Sequence, residues 1–301
     1  MIVPSVVPPM DFDKYEGIGN DFVLVDARDE RAVSPEFAAR LCDRRFGIGA
    51  DGVILVLPAR EAGHAARMRV LNADGSVPEM CGNGLRCVAL HIARRAASGL
   101  LPHGGLLPHP SPPPRGEGGE VVFETDAGLR ACGVELAVDA MRAEVTVDMG
   151  PARVLGAERV ELSGEPGEWA AVDLVTVDVG NPHAVTFRRP PSEHLDRIGR
   201  RLATHHAFSQ GANVGFALLR DTAFIDLVVW ERGVGLTLAC GTGACAAVAA
   251  ACSRGLRAWG TPVTVKLPGG PLTVWASGNG EPVRMRGPAR HVFSGRVDIA
   301  E

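Results

Sequence analysis

Two short stretches decide how this chain folds: MCGNGLRC (80–87) and LACGTGACAA (238–247). Each sets Cys-Gly-polar-Gly in front of an apolar run. Downstream of the first, GLRCVALHIARRAASG (84–99) is largely apolar and stops at Gly99. Downstream of the second, GACAAVAAACSRG (243–255) is apolar all round and stops at Gly255. Glycine is the residue that most often ends a helix. A helix apolar on every side has to be buried, so each is expected to run inside a wrapped sheet rather than across its surface.

The sequence upstream of the two motifs also repeats. GNDFVLV starts at Gly19 and GNPHAVTF at Gly180. Asn20 and Cys81 are 61 residues apart, and Asn181 and Cys240 are 59 apart. Each half therefore reads as a Gly-Asn strand, further strands, Cys-Gly, then a buried helix. That is an internal duplication with a period of about 160 residues, and it implies two similar domains. The division expected is 1–141, with 289–301 joining it and Cys81 inside it, and 142–288, which holds Cys240.

Most of the remaining chain reads as strands. DFVLVDAR, DGVILVLP, ARMRVLNADG, EVVFETDAG, MRAEVTVDMG, AAVDLVTVDVG, NVGFALLR, AFIDLVVWERG, TPVTVKLP and PLTVWAS are β-type runs, most of them closed by turn residues. One surface helix should open at Ser34, with Pro35 in its first position, and end by Gly47. A second should open at Ser192 and carry EHLDRIGRRLATH. The stretch 100–120, dense in Pro and Gly, cannot hold a core element and reads as a surface insertion without chemistry.

Composition excludes several classes. The chain has 301 residues, a formal net charge of −4, 46% hydrophobic and 22% charged residues, which is ordinary for a globular protein. It has no Lys/Arg block, so no nucleic-acid partner is expected. No apolar run approaches the roughly 18–20 residues of a membrane helix, and MIVPSVVPPM lacks the basic start of a signal peptide, so no membrane partner is expected either. Lysine occurs only at positions 14 and 266. Neither lies in a motif for a pyridoxal Schiff base. The seven cysteines form no CxxC pair; reduced thiols in the cytoplasm and no metal site are expected.

A lone cysteine is ordinarily a small buried hydrophobe. Cys42, Cys87, Cys132, Cys245 and Cys252 fit that description. Cys81 and Cys240 stand apart, because each sits at a helix N-terminus after matched motifs. The unpartnered amides and positive dipole end there should lower a thiol pKa, and the same amides can bind a carboxylate. Two such ends facing each other would supply two bases on opposite faces of a bound carboxylate. One thiolate would take a proton from the carbon beside the carboxylate, and the opposing thiol would return one to the other face, inverting the centre.

The motifs GIGNDFVLVD, FGIGADGVILV, LNADGSVPEMCGNGLRC, VGNPHAV, GANVGF and WERGVGLTLACGTGACAA, in this order, resemble those of the diaminopimelate epimerase family over residues 14–295. The resemblance implies an α+β fold of two pseudo-symmetric domains, each a mostly antiparallel sheet wrapped around a central buried helix. It implies an isomerase that interconverts LL- and meso-2,6-diaminopimelate without a cofactor, serves lysine and peptidoglycan-precursor synthesis in the cytoplasm, and forms a homodimer.

By the same resemblance, Cys81 and Cys240 are the acid/base pair, with Cys81 acting on the LL isomer. The backbone at Gly82, Asn83, Gly241 and Thr242 holds the reacting carboxylate. Asn20, Asn72, Asn181 and Asn213 bind substrate, His183 and Glu231 line the reacting centre, and Arg232 pairs with the distal carboxylate. The chain departs from the family pattern at Gly52, where some members carry glutamine, at Leu236, where glutamate is frequent, and in the lead-in FSQGANVGF. The competing readings are a proline or hydroxyproline racemase-like enzyme, a thiol–disulfide redox protein, and a non-catalytic diamino-acid binder.

Overall fold

The computed structural model describes residues 9–78, 81–98, 120–165, 167–221 and 223–298. The expected Pro/Gly-rich insertion therefore lies, but for Glu120, outside the described residues. By their internal contacts the described residues divide into two compact units. Unit 1 comprises those within Met1–Pro78, Gly84–Val145 and Ala289–Glu301; unit 2 comprises residues 81–83 and Thr146–Pro288.

Unit 1 contains β1 (Met10–Gly17), β2 (Asn20–Asp26), α1 (Pro35–Cys42), β3 (Gly52–Leu57), β4 (Ala66–Asn72), α2 (Gly82–Ala97, whose first two residues belong to unit 2), β5 (Val121–Thr125), β6 (Gly128–Leu136) and the start of β7 (Arg142–Pro151). Unit 2 contains the end of β7, then β8 (Arg153–Glu161), β9 (Ala171–Asp178), β10 (Pro182–Thr186), α3 (Leu195–Ala203), β11 (Asn213–Leu219), β12 (Phe224–Glu231), β13 (Gly235–Thr237), α4 (Gly241–Ser253), β14 (Val263–Leu267) and β15 (Gly270–Ala276). It also contains the start of β16 (Pro282–Val297), which ends in unit 1.

The duplication is visible strand by strand. In unit 1, β2 runs antiparallel to β1 and parallel to β3, with α1 as the crossover, and β3 is antiparallel to β4. In unit 2, β10 runs antiparallel to β9 and parallel to β11, with α3 as the crossover, and β11 is antiparallel to β12. Beyond the cysteine helices the pattern continues: β4 pairs parallel with β5, and β12 pairs parallel with β14. A parallel pair needs a crossover segment, which is why helices sit at these places in otherwise antiparallel sheets.

Burial explains the apolar strands. Val53, Leu55 and Leu57 of β3 join a cluster with Ala38 and Leu41 of α1, while Ile54 and Val56 are equally buried on the opposite face. A strand covered on both faces reads as a continuous apolar run. In unit 2, Val214 and Phe216 of β11 pack with Leu195, Ile198 and Leu202 of α3. Every residue of α4 from Gly241 to Cys252 is buried, as the sequence required. In α2, Leu85, Val88, Ala89 and Leu90 are also buried.

Helix starts follow the sequence in one place and not in another. Ser34 caps α1, its hydroxyl accepting from the Phe37 N–H at 3.2 Å. Ser192 caps nothing comparable: Ser192–His194 forms a single 3₁₀ turn, and α3 starts at Leu195 without a side-chain cap. The helix begins where its buried stripe begins, at Leu195, Ile198, Gly199, Leu202 and Ala203. The 16-residue strand β16 was not legible as a strand. Its buried Val283, Met285, Ala289 and His291 alternate with arginines, and Gly287-Pro288 interrupts the run.

Candidate active site

Cys240 occupies the N-cap position of α4, with φ −132° and ψ 102°, and no side chain caps the helix. Its sulfur lies 3.7 Å from the Thr242 hydroxyl. Thr242 in turn receives the Asn181 side-chain N–H at 3.5 Å. The Oδ1 of Asn181 is 2.9 Å from Nε2 of His183. With the Asn181 nitrogen directed at Thr242, Oδ1 accepts, so Nε2 of His183 carries the proton. The donors thus run from His183 through Asn181 to the Thr242 hydroxyl, which stands within reach of the sulfur. His183 is 2% exposed, and burial pushes its pKa down to about 3, so the imidazole is neutral.

The cysteine itself departs from expectation. A helix N-terminus was expected to lower the thiol pKa, but the Cys240 thiol is pushed well above its ordinary value. Burial is the largest cause, and the Glu231 carboxylate adds to it; the Thr242 hydroxyl and the Gly243 amide work in the opposite direction. Cys240 is 4% exposed, and taking a thiolate out of water outweighs two hydrogen bonds and a helix end. Glu231 ends β12 and accepts a hydrogen bond from the Thr237 hydroxyl at 2.5 Å.

Asn213 and Arg232 are joined: the Arg232 backbone N–H donates to Oδ1 of Asn213 at 2.9 Å. The Arg232 guanidinium donates to the Gln210 carbonyl at 2.7 Å. At Gly211, with φ +70°, a Cβ would stand 3.1 Å from Cδ of Arg232. The unusual lead-in FSQGANVGF thus runs its backbone close against the Arg232 side chain. His183 and Asn213 are register partners in the parallel β10–β11 pair.

The second motif meets the first within unit 2. Cys81 is partly exposed and precedes Gly82, the first residue of α2. The Asn83 side-chain N–H donates to the Ala239 carbonyl at 3.3 Å, and a Cβ on Gly241 would be 3.6 Å from Oδ1 of Asn83. A Cβ on Gly82 would be 2.8 Å from Cε of Met149 and 3.1 Å from Cε of Met285. These contacts are why residues 81–83, placed with the first half in the sequence division, group with unit 2. Gly82, Asn83, Gly241 and Thr242 are all buried.

Asn20 and Asn72 lie in unit 1, at one end of β2–β3–β4, where Phe22 pairs with Gly52 and Gly52 with Asn72. The Asn20 side-chain N–H donates to Asp51 at 2.7 Å. The Asn72 side-chain N–H donates to the Ser76 hydroxyl at 3.0 Å. Gly52 is confined: a Cβ there would stand 2.8 Å from the Leu71 carbonyl oxygen. Cys42, Cys87, Cys132, Cys245 and Cys252 are buried, as expected of structural cysteines. Sequence reasoning missed Asp51, Gln210, Gly211 and Thr237, which touch the predicted residues. Their only signal was that they lie within the quoted motifs and lead-in, beside residues with an assigned role.

The fold is shared with solved structures that include a racemase and an epimerase. The chain is similar to a probable proline racemase from Agrobacterium radiobacter K84, with TM-score 0.69 at 16% identity, covering 97% of this chain and 93% of that one. A hydroxyproline epimerase from Agrobacterium vitis matches with TM-score 0.68 at 17% identity, over 97% and 93% of the two chains. At such identities the likeness is one of fold.

Sequence narrows the class. The family model described as diaminopimelate epimerase matches residues 12–155 and 175–292. A diaminopimelate epimerase of Gloeothece citriformis (strain PCC 7424) is 42% identical over 303 residues, covering 96% of this chain and 99% of the relative. One of Microcystis aeruginosa (strain NIES-843) is also 42% identical, with the same coverage of both chains. The chain belongs to the diaminopimelate epimerase family, and it is an isomerase.

Proposed function

We propose that this protein interconverts LL- and meso-2,6-diaminopimelate by acid/base catalysis at Cys81 and Cys240, without a cofactor. The observation that carries the reading is the surroundings of Cys240: the sulfur stands at the N-terminus of α4 beside the Thr242 hydroxyl, and burial first, with the Glu231 carboxylate second, keeps the thiol protonated. In the LL-to-meso direction the protonated Cys240 is the donor, and the more exposed Cys81 is the base. In reverse the roles exchange: the Cys240 thiolate left by the forward transfer is the base, and the Cys81 thiol, which holds the proton it took, is the donor. The first amides of α2 and α4 hold the carboxylate beside the reacting carbon and stabilise the charge that develops on it. Asn20, Asn72, Asn181, Asn213 and Arg232 hold the rest of the substrate, His183 sets the donor chain behind the sulfur, and Glu231 governs its proton.

The activity belongs to lysine and peptidoglycan-precursor synthesis. We place the protein in the cytoplasm as a homodimer acting on this small molecule, with no nucleic-acid or membrane partner. The reducing compartment suits its thiol chemistry, and family membership supports the dimer.

The test is proton NMR of LL-diaminopimelate with reduced protein in D2O and no added pyridoxal phosphate. Deuterium wash-in at the α-carbon, with appearance of the meso isomer, is the expected result. Exchange of proline or hydroxyproline instead would move the chain to the racemases it resembles in fold. No exchange with any amino acid would refute the epimerase reading and leave a redox or binding role.

A further inference from the structure

In unit 1 the predicted substrate asparagines are tied together by a residue that no motif assigned. Asp51 stands between α1 and β3, immediately before Gly52. Its carboxylate Oδ2 accepts from the Asn20 side-chain N–H at 2.7 Å and from the Asp21 backbone N–H at 3.0 Å. Its Oδ1 accepts from Nη2 of Arg44 at 2.7 Å. Its backbone N–H donates to the Asp21 carbonyl at 2.8 Å, and its carbonyl accepts from the Ala73 N–H, next to Asn72, at 3.1 Å. One residue therefore grips the start of β2 and the end of β4, the two places where Asn20 and Asn72 stand.

The chemistry of the grip matters. A terminal amide can turn over at little cost, exchanging its donor and acceptor faces. A carboxylate only accepts, so it forces the NH₂ face of Asn20 toward itself. Arg44 braces that carboxylate and also Asp21, at 2.6 Å, and buried Lys14 closes the cluster at 2.6 Å from Asp21. Arg44 is an exposed side chain, whereas Lys14 is only 6% exposed. Asn72 is oriented in the same manner: the Ser76 hydroxyl donates to Asp74 at 2.6 Å and so accepts from the Asn72 N–H. At both positions an aspartate decides which face of the amide is committed to the protein.

We propose that Asp51 is a positioning residue for substrate recognition, acting through Asn20 by fixing the orientation of its amide. This rests on the reading that Asn20 binds diaminopimelate. An amide with a fixed face distinguishes an ammonium group from a carboxylate at the same place, whereas a freely turning amide accepts either.

The experiment is a double-mutant cycle with steady-state kinetics on LL-diaminopimelate, using Asn20→Ala, Asp51→Asn and the pair. Asp51→Asn should raise KM about tenfold with kcat within about threefold, the signature of lost binding rather than lost chemistry. In the Asn20→Ala background the same substitution should add less than about twofold, because its route to the substrate has gone. Arg44→Gln, at an exposed position that tolerates change, should raise KM by about threefold.

If Asn20→Ala leaves KM unchanged, the binding role of Asn20 fails. If Asn20→Ala raises KM but Asp51→Asn and Arg44→Gln do not, the inference about Asp51 fails. Equal effects of Asp51→Asn in both backgrounds, or a fall in kcat and thermal midpoint without a KM change, would make Asp51 merely structural and overturn the proposal as well.

Discussion

Gly243, the second glycine of the CGTG motif, packs directly against the sulfur it follows. A Cβ built there would lie 2.9 Å from Cγ2 of Val229, 3.1 Å from Sγ of Cys240 and 3.3 Å from Cβ of Cys240. Comfortable carbon contacts begin near about 3.5 Å, so Gly243→Ala has to displace its neighbours by about 0.5 Å. Val229 sits in a packed strand, and Cys240 heads the helix, so the displacement falls largely on the thiol. A misplacement of about 1 Å in a reacting group costs about 100-fold in rate, and half of that costs about tenfold.

Stability should change much less. Alanine in a helix interior gains about 1 kcal/mol over glycine, and overpacking costs about 1–3 kcal/mol, so the net loss is at most about 2 kcal/mol. Steady-state epimerisation alongside urea unfolding checks this: kcat down about tenfold, KM little changed, and a folded protein. A kcat within about twofold of the parent protein, with the protein folded, would refute the argument that the glycine exists to seat the sulfur.

Three further outcomes follow from the same geometry. Glu231→Gln removes a negative neighbour of Cys240, so the thiol should titrate at lower pH than in the parent protein; ultraviolet thiolate absorbance, read against Cys240→Ser, checks the direction. His183 is neutral when folded, with a pKa near 3 against 6.5 when unfolded, so the unfolded chain binds the extra proton between those values. Its contribution to stability is therefore present above pH 6.5 and is lost at about 1.4 kcal/mol per pH unit as pH falls toward 3; urea midpoints measured through this window should be flatter in His183→Asn. Gly199→Ala in α3 would put a methyl 2.6 Å from Cγ of Trp230, whose ring is held by Asp196 at 3.0 Å. Overpacking against a rigid indole should cost about 1–3 kcal/mol, less about 1 kcal/mol of helix gain, and appear as a lower urea midpoint at constant slope.

Much of the candidate site was legible because its residues stand in short motifs. Cys240, Gly241 and Thr242 are consecutive, Asn181 and His183 are two apart, and Glu231 and Arg232 are neighbours, so reading the motif was enough to find them together. Asp51 escaped because an aspartate in a Gly-rich turn has an ordinary local explanation; only the parallel pairing of β2 and β3 brings it to Asn20. Gln210 escaped because it acts through its carbonyl oxygen, which every residue has. The β16 strand escaped because arginines on its outward face mask the alternation of the buried one.

By itself the sequence determined the duplication, the helix α4 buried from 241 to 252, the helix α2 buried from 82 to 92, and the cysteines that head them. Those features rest on spacing and on apolar residues all round a helix, which are properties of the chain alone. Tertiary structure decided the protonation of Cys240. Helix position predicts a lowered thiol pKa, and the fold reverses it by removing water and placing Glu231 beside the sulfur. Desolvation depends on every element packed around a group, and no local stretch of sequence contains that information.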